Sequence, residues 1–344
     1  MYQQVFIDSF SLLGELLSDY LNGRKSNPLL DKAIDKTYAQ NQLFTPYMQM
    51  RSLEAISSEF LQKNILESWL DNYSSSIRER EVIVGIVMAG NLPLVGFHDL
   101  LTVLASGCKA IIKSSSKDPY LIVALTELLF SINGYWRDRV TISNTPPTNV
   151  NMVIATGSES AATHFDKFYG EIPKLIRGSR YSFAVITGEE SLADFKKLSE
   201  DIFLYFGMGC RSVSTLFVPK DYNLNNFAER LSEFDLIKDN EYYLDSYRYQ
   251  RAVALMSGKD FVDGGFFILM KNIAPPPPMS VIAIFEYEQT EEANKYYLNN
   301  TSSIQCAVNL NIGENKTFFG KSQLPRIDDY ADGINSLEFI LKNS

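Results

Sequence analysis

Residues 81–116 read EVIVGIVMAGNLPLVGFHDLLTVLASGCKAIIKSSS. The run from Val82 to Met88 is short, uncharged and rich in β-branched side chains, without the polar alternation of a half-exposed strand. Such a run suits a strand buried on both faces. Ala89-Gly90-Asn91-Leu92-Pro93 makes a turn, VGFHDLLTVLASG reads as a helix that stops at Gly107, and KAIIK is a second strand. The alternation continues. DPYLIVALTELLFSI is a helix with Pro119 near its first turn, RVTIS and NVNMVIATG are strands, and SESAATHFDKFY is a helix opening at Ser158. Strands alternating with helices in this way define an α/β fold on a parallel sheet.

Working outward, strand-like IPKLIRG and YSFAVITG lead into a second α/β block. It holds a helix from about Ser191 to Phe206, the strand VSTLFVP, helices near 223–234 and 242–257, strands FFILM and SVIAIFEY, the helix EEANKYYLN and the strand IQCAVNLN. Pro275 to Pro278 make an extended lead-in to a strand. Before residue 75 two amphipathic patterns stand out, one over Leu12 to Leu21 stopped by Asn22-Gly23, the other from Leu53 to Leu70. The closing LEFIL reads as a last strand returning to pair elsewhere. A chain of 344 residues exceeds what one hydrophobic core usually serves. The expected division is 1–187, 188–320 and a return segment 321–344.

Hydrophobic residues make up 45% and charged residues 21%, as in ordinary globular proteins. With 32 basic against 41 acidic side chains the net charge is −9, and no Lys/Arg-rich run offers the basic footprint that a nucleic acid needs. Three scattered cysteines and two histidines, without C-x-x-C or H-E-x-x-H, suggest neither a disulfide framework nor a protein-held metal. The opening MYQQVFIDSFSLLGELL has no basic residue ahead of Arg24, so no secretory leader is expected. The longest uncharged apolar stretch, Val82 to Phe97, is too short and broken to span a membrane. The expected location is the cytoplasm.

Four segments could carry chemistry. Cys210, in YFGMGCRSVS, follows Gly207 and Gly209 and precedes Arg211, a loop setting in which a thiolate is stabilised. Cys108 and Cys306 lie in apolar strand patterns and read as core. Asn91 sits where a parallel strand ends, which is where open α/β sheets bind ligands, and its amide can meet an oxyanion; it also suits a helix cap or Asx turn. In KSSSKD, Lys113 ends a strand and is followed by three serines, suitable for a ribose or phosphate, or simply a solvated turn. In ATGSESA, Gly157 and Ser158 form a tight turn into a helix, which is an anion site or a plain cap.

In order, these segments resemble the aldehyde dehydrogenase superfamily and, within it, the LuxC-type acyl-CoA reductases. The resemblance covers roughly residues 80 to 340. It implies two Rossmann-like α/β domains with a cleft between them, Cys210 as nucleophile, Asn91 as oxyanion donor, and Met88, Lys113, Ser115, Ser116, Gly157 and Ser158 at a nicotinamide cofactor. Four departures accompany it, one being that the hairpin by which the larger enzymes oligomerise has no counterpart near residues 75–82. The family's E-L-G-G general base falls on LIRGSRYS, with Leu175 or Ile176 in place of the Glu. NIAPPPPMS lacks the acid that holds the nicotinamide ribose. Ser116 replaces the acid that contacts the other ribose, so NADPH is expected, with NADH also accepted.

The expected reaction is reduction of an acyl thioester, acyl-CoA above all, to an aldehyde through a thioester on Cys210. An acyl-activating enzyme or acyl carrier is a possible partner, and a homo-oligomer is left open. The same residues also suit a short-chain acylating aldehyde dehydrogenase, or a catalytically silent homologue that binds an acyl partner.

Overall fold

In the computed structural model, which describes residues 2–310 and 317–344, four helices precede the first strand: Tyr2–Leu21 (α1), Pro28–Gln40 (α2), Pro46–Glu59 (α3) and Lys63–Asp71 (α4). The sequence reading expected two. Asn27 and Thr45 cap α2 and α3 through their side chains, each with a proline in the first turn, where its missing N–H costs nothing. The pattern from Leu53 to Leu70 is split because Phe60 and Leu61 turn into the core and Gln62 starts a new helix.

The α/β alternation follows as read: Ile83–Val87 (β1), Phe97–Ala105 (α5), Lys109–Lys113 (β2), Leu121–Ile132 (α6), Val140–Ser143 (β3), Met152–Thr156 (β4), Glu159–Tyr169 (α7) and Lys174–Arg177 (β5). The sheet order is β3-β2-β1-β4-β5, all parallel, with Val87 opposite both Lys113 and Ala155, and Thr156 opposite Arg177. Met88, Lys113, Thr156 and Arg177 therefore share one carboxyl edge. The β1 side chains are buried on both faces, as the unbroken apolar run requires.

A second sheet begins at Tyr181–Val185 (β6). Then come Leu192–Phe203 (α8), Val213–Pro219 (β7), Leu224–Leu231 (α9), Glu241–Met256 (α10), Phe261–Asp263 (β8), Ile268–Lys271 (β9), Val281–Tyr287 (β10), Glu291–Asn299 (α11) and Ile304–Val308 (β11). Its order is β11-β6-β7-β10-β9-β8, parallel except for the β8–β9 pair.

The chain divides into Met1–Ser179 with Pro325–Ser344, and Arg180–Leu324. The expected boundary at 187/188 is corrected to 179/180, because β6 pairs with β7 and β11 and not with β5. The closing segment is corrected too. Ser336–Lys342 is a helix (α12) capped by Asn335, and Leu337 and Ile340, three residues apart on one face, enter the first unit's core. Side-chain bonds tie this segment to the earlier part of its unit: His98 Nε2 meets the Ile327 carbonyl oxygen at 2.7 Å, Trp69 Nε1 donates to the Tyr330 hydroxyl at 2.7 Å, and the Asn335 side-chain amide donates to the Tyr73 hydroxyl at 2.7 Å. Among the described residues no helix is long and apolar enough to cross a membrane.

Candidate active site

In the first unit the predicted residues gather along the carboxyl edge of the sheet. Met88 is buried, and its N–H donates to the Lys113 carbonyl at 3.0 Å, so β1 and β2 leave the sheet side by side. A Cβ at Gly90 would fall on the Ser115 hydroxyl, so only glycine lets the two turns close on each other here. The Ser115 hydroxyl accepts from Lys117 N at 3.2 Å. Asn91, Lys113 and Ser115 are half-buried, and Ser116 is exposed.

Asp118, which the sequence reading passed over, fixes this corner. Its Oδ2 accepts from the N–H of Leu94 at 2.7 Å, and Leu94 has the unusual positive φ of 59°. The carboxylate thus holds the turn that carries Asn91. Burial pushes the Asp118 pKa up to about 6, against the pull of its amide donors.

On the other side of β1, the Gly157 N–H donates to the Arg177 carbonyl at 3.1 Å, and Ser158 caps α7, accepting from Ala161 N at 3.4 Å. Ser158 is exposed, so this helix end faces solvent. Arg177 is only 4% exposed. Its Nη1 contacts both carboxylate oxygens of Asp99, in the first turn of α5, while Nε and Nη2 have no hydrogen-bond partner among the described residues. Neither residue was foreseen; a lone Arg within the apolar stretch IPKLIRG was the available signal. Leu175 and Ile176 are ordinary members of β5, the first buried and the second half-buried. Glu190, the carboxylate that follows β6, is turned onto its own loop and accepts from Thr187 N, Thr187 Oγ1 and Gly188 N at 2.6, 2.9 and 3.1 Å.

In the second unit Cys210 is half-buried and in no disulfide among the described residues, whereas Cys108 and Cys306 are buried. Its loop is built by an abrupt end to α8. Leu204 turns extended, and Tyr205, Phe206 and Gly207 follow with φ of 58, 56 and 69°. Two bulky residues in the left-handed region store backbone strain, as functional loops often do. The Ser212 N–H donates back to the Gly209 carbonyl at 3.0 Å, closing a turn around Cys210 and Arg211. Ser182, at the start of β6, donates its hydroxyl to the Cys210 carbonyl at 2.8 Å and accepts from the Cys306 N–H at 3.1 Å. Both ladders of β6 shift register here, and such irregularities re-aim side chains beside functional sites.

Two α/β units on largely parallel sheets, one with a carboxyl-edge turn bearing Asn91 and the other with a strained cysteine loop, define a protein of the aldehyde dehydrogenase fold. Solved structures agree. Aldehyde dehydrogenase 21 from Physcomitrella patens matches 99% of this chain and 84% of its own at 12% identity, with a TM-score of 0.66. The indole-3-acetaldehyde dehydrogenase of P. syringae matches 95% and 75% at 13% identity, with a TM-score of 0.64. At these identities the likeness is one of fold. More narrowly, a family model described as acyl-CoA reductase (LuxC) matches residues 18–247, more than half the chain, and the chain belongs to that family. Long-chain acyl-protein thioester reductases of Aliivibrio fischeri and Photorhabdus laumondii are both 24% identical, over 186 and 182 residues. These matches span 49% and 48% of this chain, but 39% and 38% of the relatives' own length.

Proposed function

We propose that this chain reduces an acyl thioester to an aldehyde through a thioester on Cys210, working in the cytoplasm. The observation that carries this reading is a half-buried thiol, in a strained and fastened loop, in a chain of the acyl-CoA reductase family. In the proposed reaction the Cys210 thiolate attacks the thioester carbonyl. Its own N–H and the Asn91 amide are the donors to the resulting oxyanion, which collapses as the donor thiol leaves and the acyl group stays on Sγ.

A nicotinamide cofactor, when bound, supplies the hydride. The residues fit such a group: the α7 N-terminus is open to solvent, Lys113 ends β2 at the same sheet edge, and Arg177 keeps two buried donors without an acceptor. Met88, Lys113, Ser115, Ser116, Gly157 and Ser158 are the proposed holders. NADPH is preferred, with NADH also accepted, because Ser116 sets no carboxylate against a 2′-phosphate. Once reduced, the adduct on Cys210 is a thiohemiacetal, which breaks its C–S bond to release aldehyde and restore the thiolate.

The proposed donor is an acyl-CoA. The names of the two curated relatives favour, as a second reading, an acyl group presented on a protein. The test is to incubate the chain, without reduced cofactor, with acyl-CoAs of graded length and with an acylated carrier protein. A mass increase equal to the acyl group, mapped to Cys210, is the expected result. Absence of an adduct with every donor, or labelling of Cys108 or Cys306 instead, would sink the reading.

A further inference from the structure

Asp201 lies in the last turn of α8 and is 1% exposed. Its Oδ1 accepts from the Ser322 N–H at 3.0 Å and the Ser322 hydroxyl at 2.7 Å, and its Oδ2 accepts from the Gly320 N–H at 2.6 Å. A carboxylate placed so deep is costly unless its oxygens are met by donors, and here three converge on it. The segment it moors then reaches the cysteine loop twice. The Ser322 carbonyl accepts from Arg211 Nε at 2.7 Å. The Gln323 side-chain amide donates to the Ser212 hydroxyl at 3.2 Å, and that hydroxyl accepts from the Gly209 N–H at 3.2 Å. Arg211 and Ser212, just after Cys210, are therefore held by a strap that a buried carboxylate moors.

We propose that Asp201, Ser322 and Gln323 are positioning residues for the Cys210 nucleophile, the strap fixing the loop backbone so that the thiol and its own N–H face the substrate carbonyl together. This rests on the reading of Cys210 as the acylated thiol. The strained turn at Tyr205–Gly207 gives the strap its purpose. A loop that stores strain relaxes unless it is tied on its far side, and the strap ties it at Arg211 and Ser212. Attack geometry is sensitive to such ties, since a displacement of about 1 Å costs on the order of a hundredfold in rate.

The experiment uses the full chain and the acyl-CoA that labels wild type fastest, with iodoacetamide as a small probe of the same thiol. Ser322→Ala and Gln323→Leu each remove part of the strap, Asp201→Asn removes its anchor, and Ser322→Thr restores the hydroxyl. The expected result is an acylation rate at saturating donor lowered about tenfold to a hundredfold, half-saturation little changed, and recovery in Ser322→Thr. Variants with native thermal midpoints that acylate at the wild-type rate would overturn the proposal. So would a loss that merely tracks the unfolded fraction. Where Asp201→Asn does not fold, the Ser322 and Gln323 variants decide. Should neither acyl-CoAs nor an acylated carrier protein label wild-type Cys210 while its alkylation by iodoacetamide still differs between wild type and the strap variants, the functional reading falls and the strap stands.

Discussion

Arg177 places one guanidinium nitrogen 2.7 and 2.9 Å from the two carboxylate oxygens of Asp99, and the pair is sealed from solvent at the end of β5. Removing one partner strands the other charge in the core. Asp99→Asn or Arg177→Met alone is expected to lower unfolding stability by about 3–5 kcal/mol. The double variant Asp99→Leu/Arg177→Met should recover most of that in urea titrations. Because Arg177 has two further donors without acceptors, the double variant should fold yet bind NADPH more weakly, read by quenching of protein fluorescence. Unchanged NADPH affinity in a folded double variant would remove Arg177 from the cofactor site.

Cys210→Ala is expected to abolish acyl-enzyme formation and aldehyde production together. Cys108→Ala and Cys306→Ala should keep the chemistry, with Cys306→Ala losing stability because its side chain is buried against Ser182. Removing a thiol of this size from a packed core typically costs about 1–2 kcal/mol. Substantial turnover by the Cys210 variant would refute the mechanism.

Ser116 is exposed beside the half-buried Lys113. On the proposed assignment of Ser116 to the cofactor, Ser116→Glu should weaken NADPH binding by repelling a 2′-phosphate, spare NADH and reverse the preference. Isothermal titration of both cofactors against both proteins checks this. A wild type that binds NADH alone would contradict the assignment.

Acyl-Cys210 should resist water. By the resemblance, Leu175 or Ile176 falls at the general-base position of ordinary aldehyde dehydrogenases, and Glu190 is occupied by its own turn. General-base assistance is worth about a hundredfold to ten-thousandfold. Decay of the acyl-enzyme without reduced cofactor should therefore be slow in buffer and fast on adding CoA. Rapid release of free acid in buffer alone would reveal a base elsewhere.

Asp118 and Asp201 both titrate near 6 in the folded chain, against an ordinary 3.8, because burial penalises the charged form. Each holds its proton more tightly folded than unfolded, so folding takes up protons between about pH 4 and 6. Stability from these sites is lost as pH rises through that window and levels off above it. The gap is worth on the order of 3 kcal/mol per site. Relative to wild type, Asp118→Asn and Asp201→Asn should each gain stability as pH rises from 4 to 6.5. A difference that stays flat with pH would show that the carboxyl is not buried as described.

Much of the fold was legible because local pattern and tertiary environment agree. KAIIK, VSTLFVP and EEANKYYLN are elements to the residue. LEFIL misled because five apolar-rich residues fit either period; the decisive sign was Asn335 as a cap, with Leu337 and Ile340 three apart. The boundary near 187 failed for a different reason. Only Gly178, Ser179 and Arg180 separate β5 from β6, and nothing local says that the second strand joins another sheet. The glycine-bearing loops of Asn91, Gly157 and Cys210 announced themselves by their composition. Asp118, Asp201 and Ser182 did not, since each is defined by what it meets in the fold, and Asp201 meets donors more than a hundred residues away.

The first unit is finished by residues that are synthesised only after the whole of the second. Ile327, Tyr330, Leu337 and Ile340 belong to its core, yet residues 180–324 must be translated before any of them exists. At 5–20 residues per second that delay lasts about 7–30 s. Throughout it, the nascent amino-terminal part lacks the Ile327 carbonyl for His98, the Tyr330 hydroxyl for Trp69, and the α12 cover for its apolar surface. The second unit, begun later, can close on its own strands first. Order of synthesis and order of completion are thus inverted, and of the two units the one begun first is the longer open to chaperones.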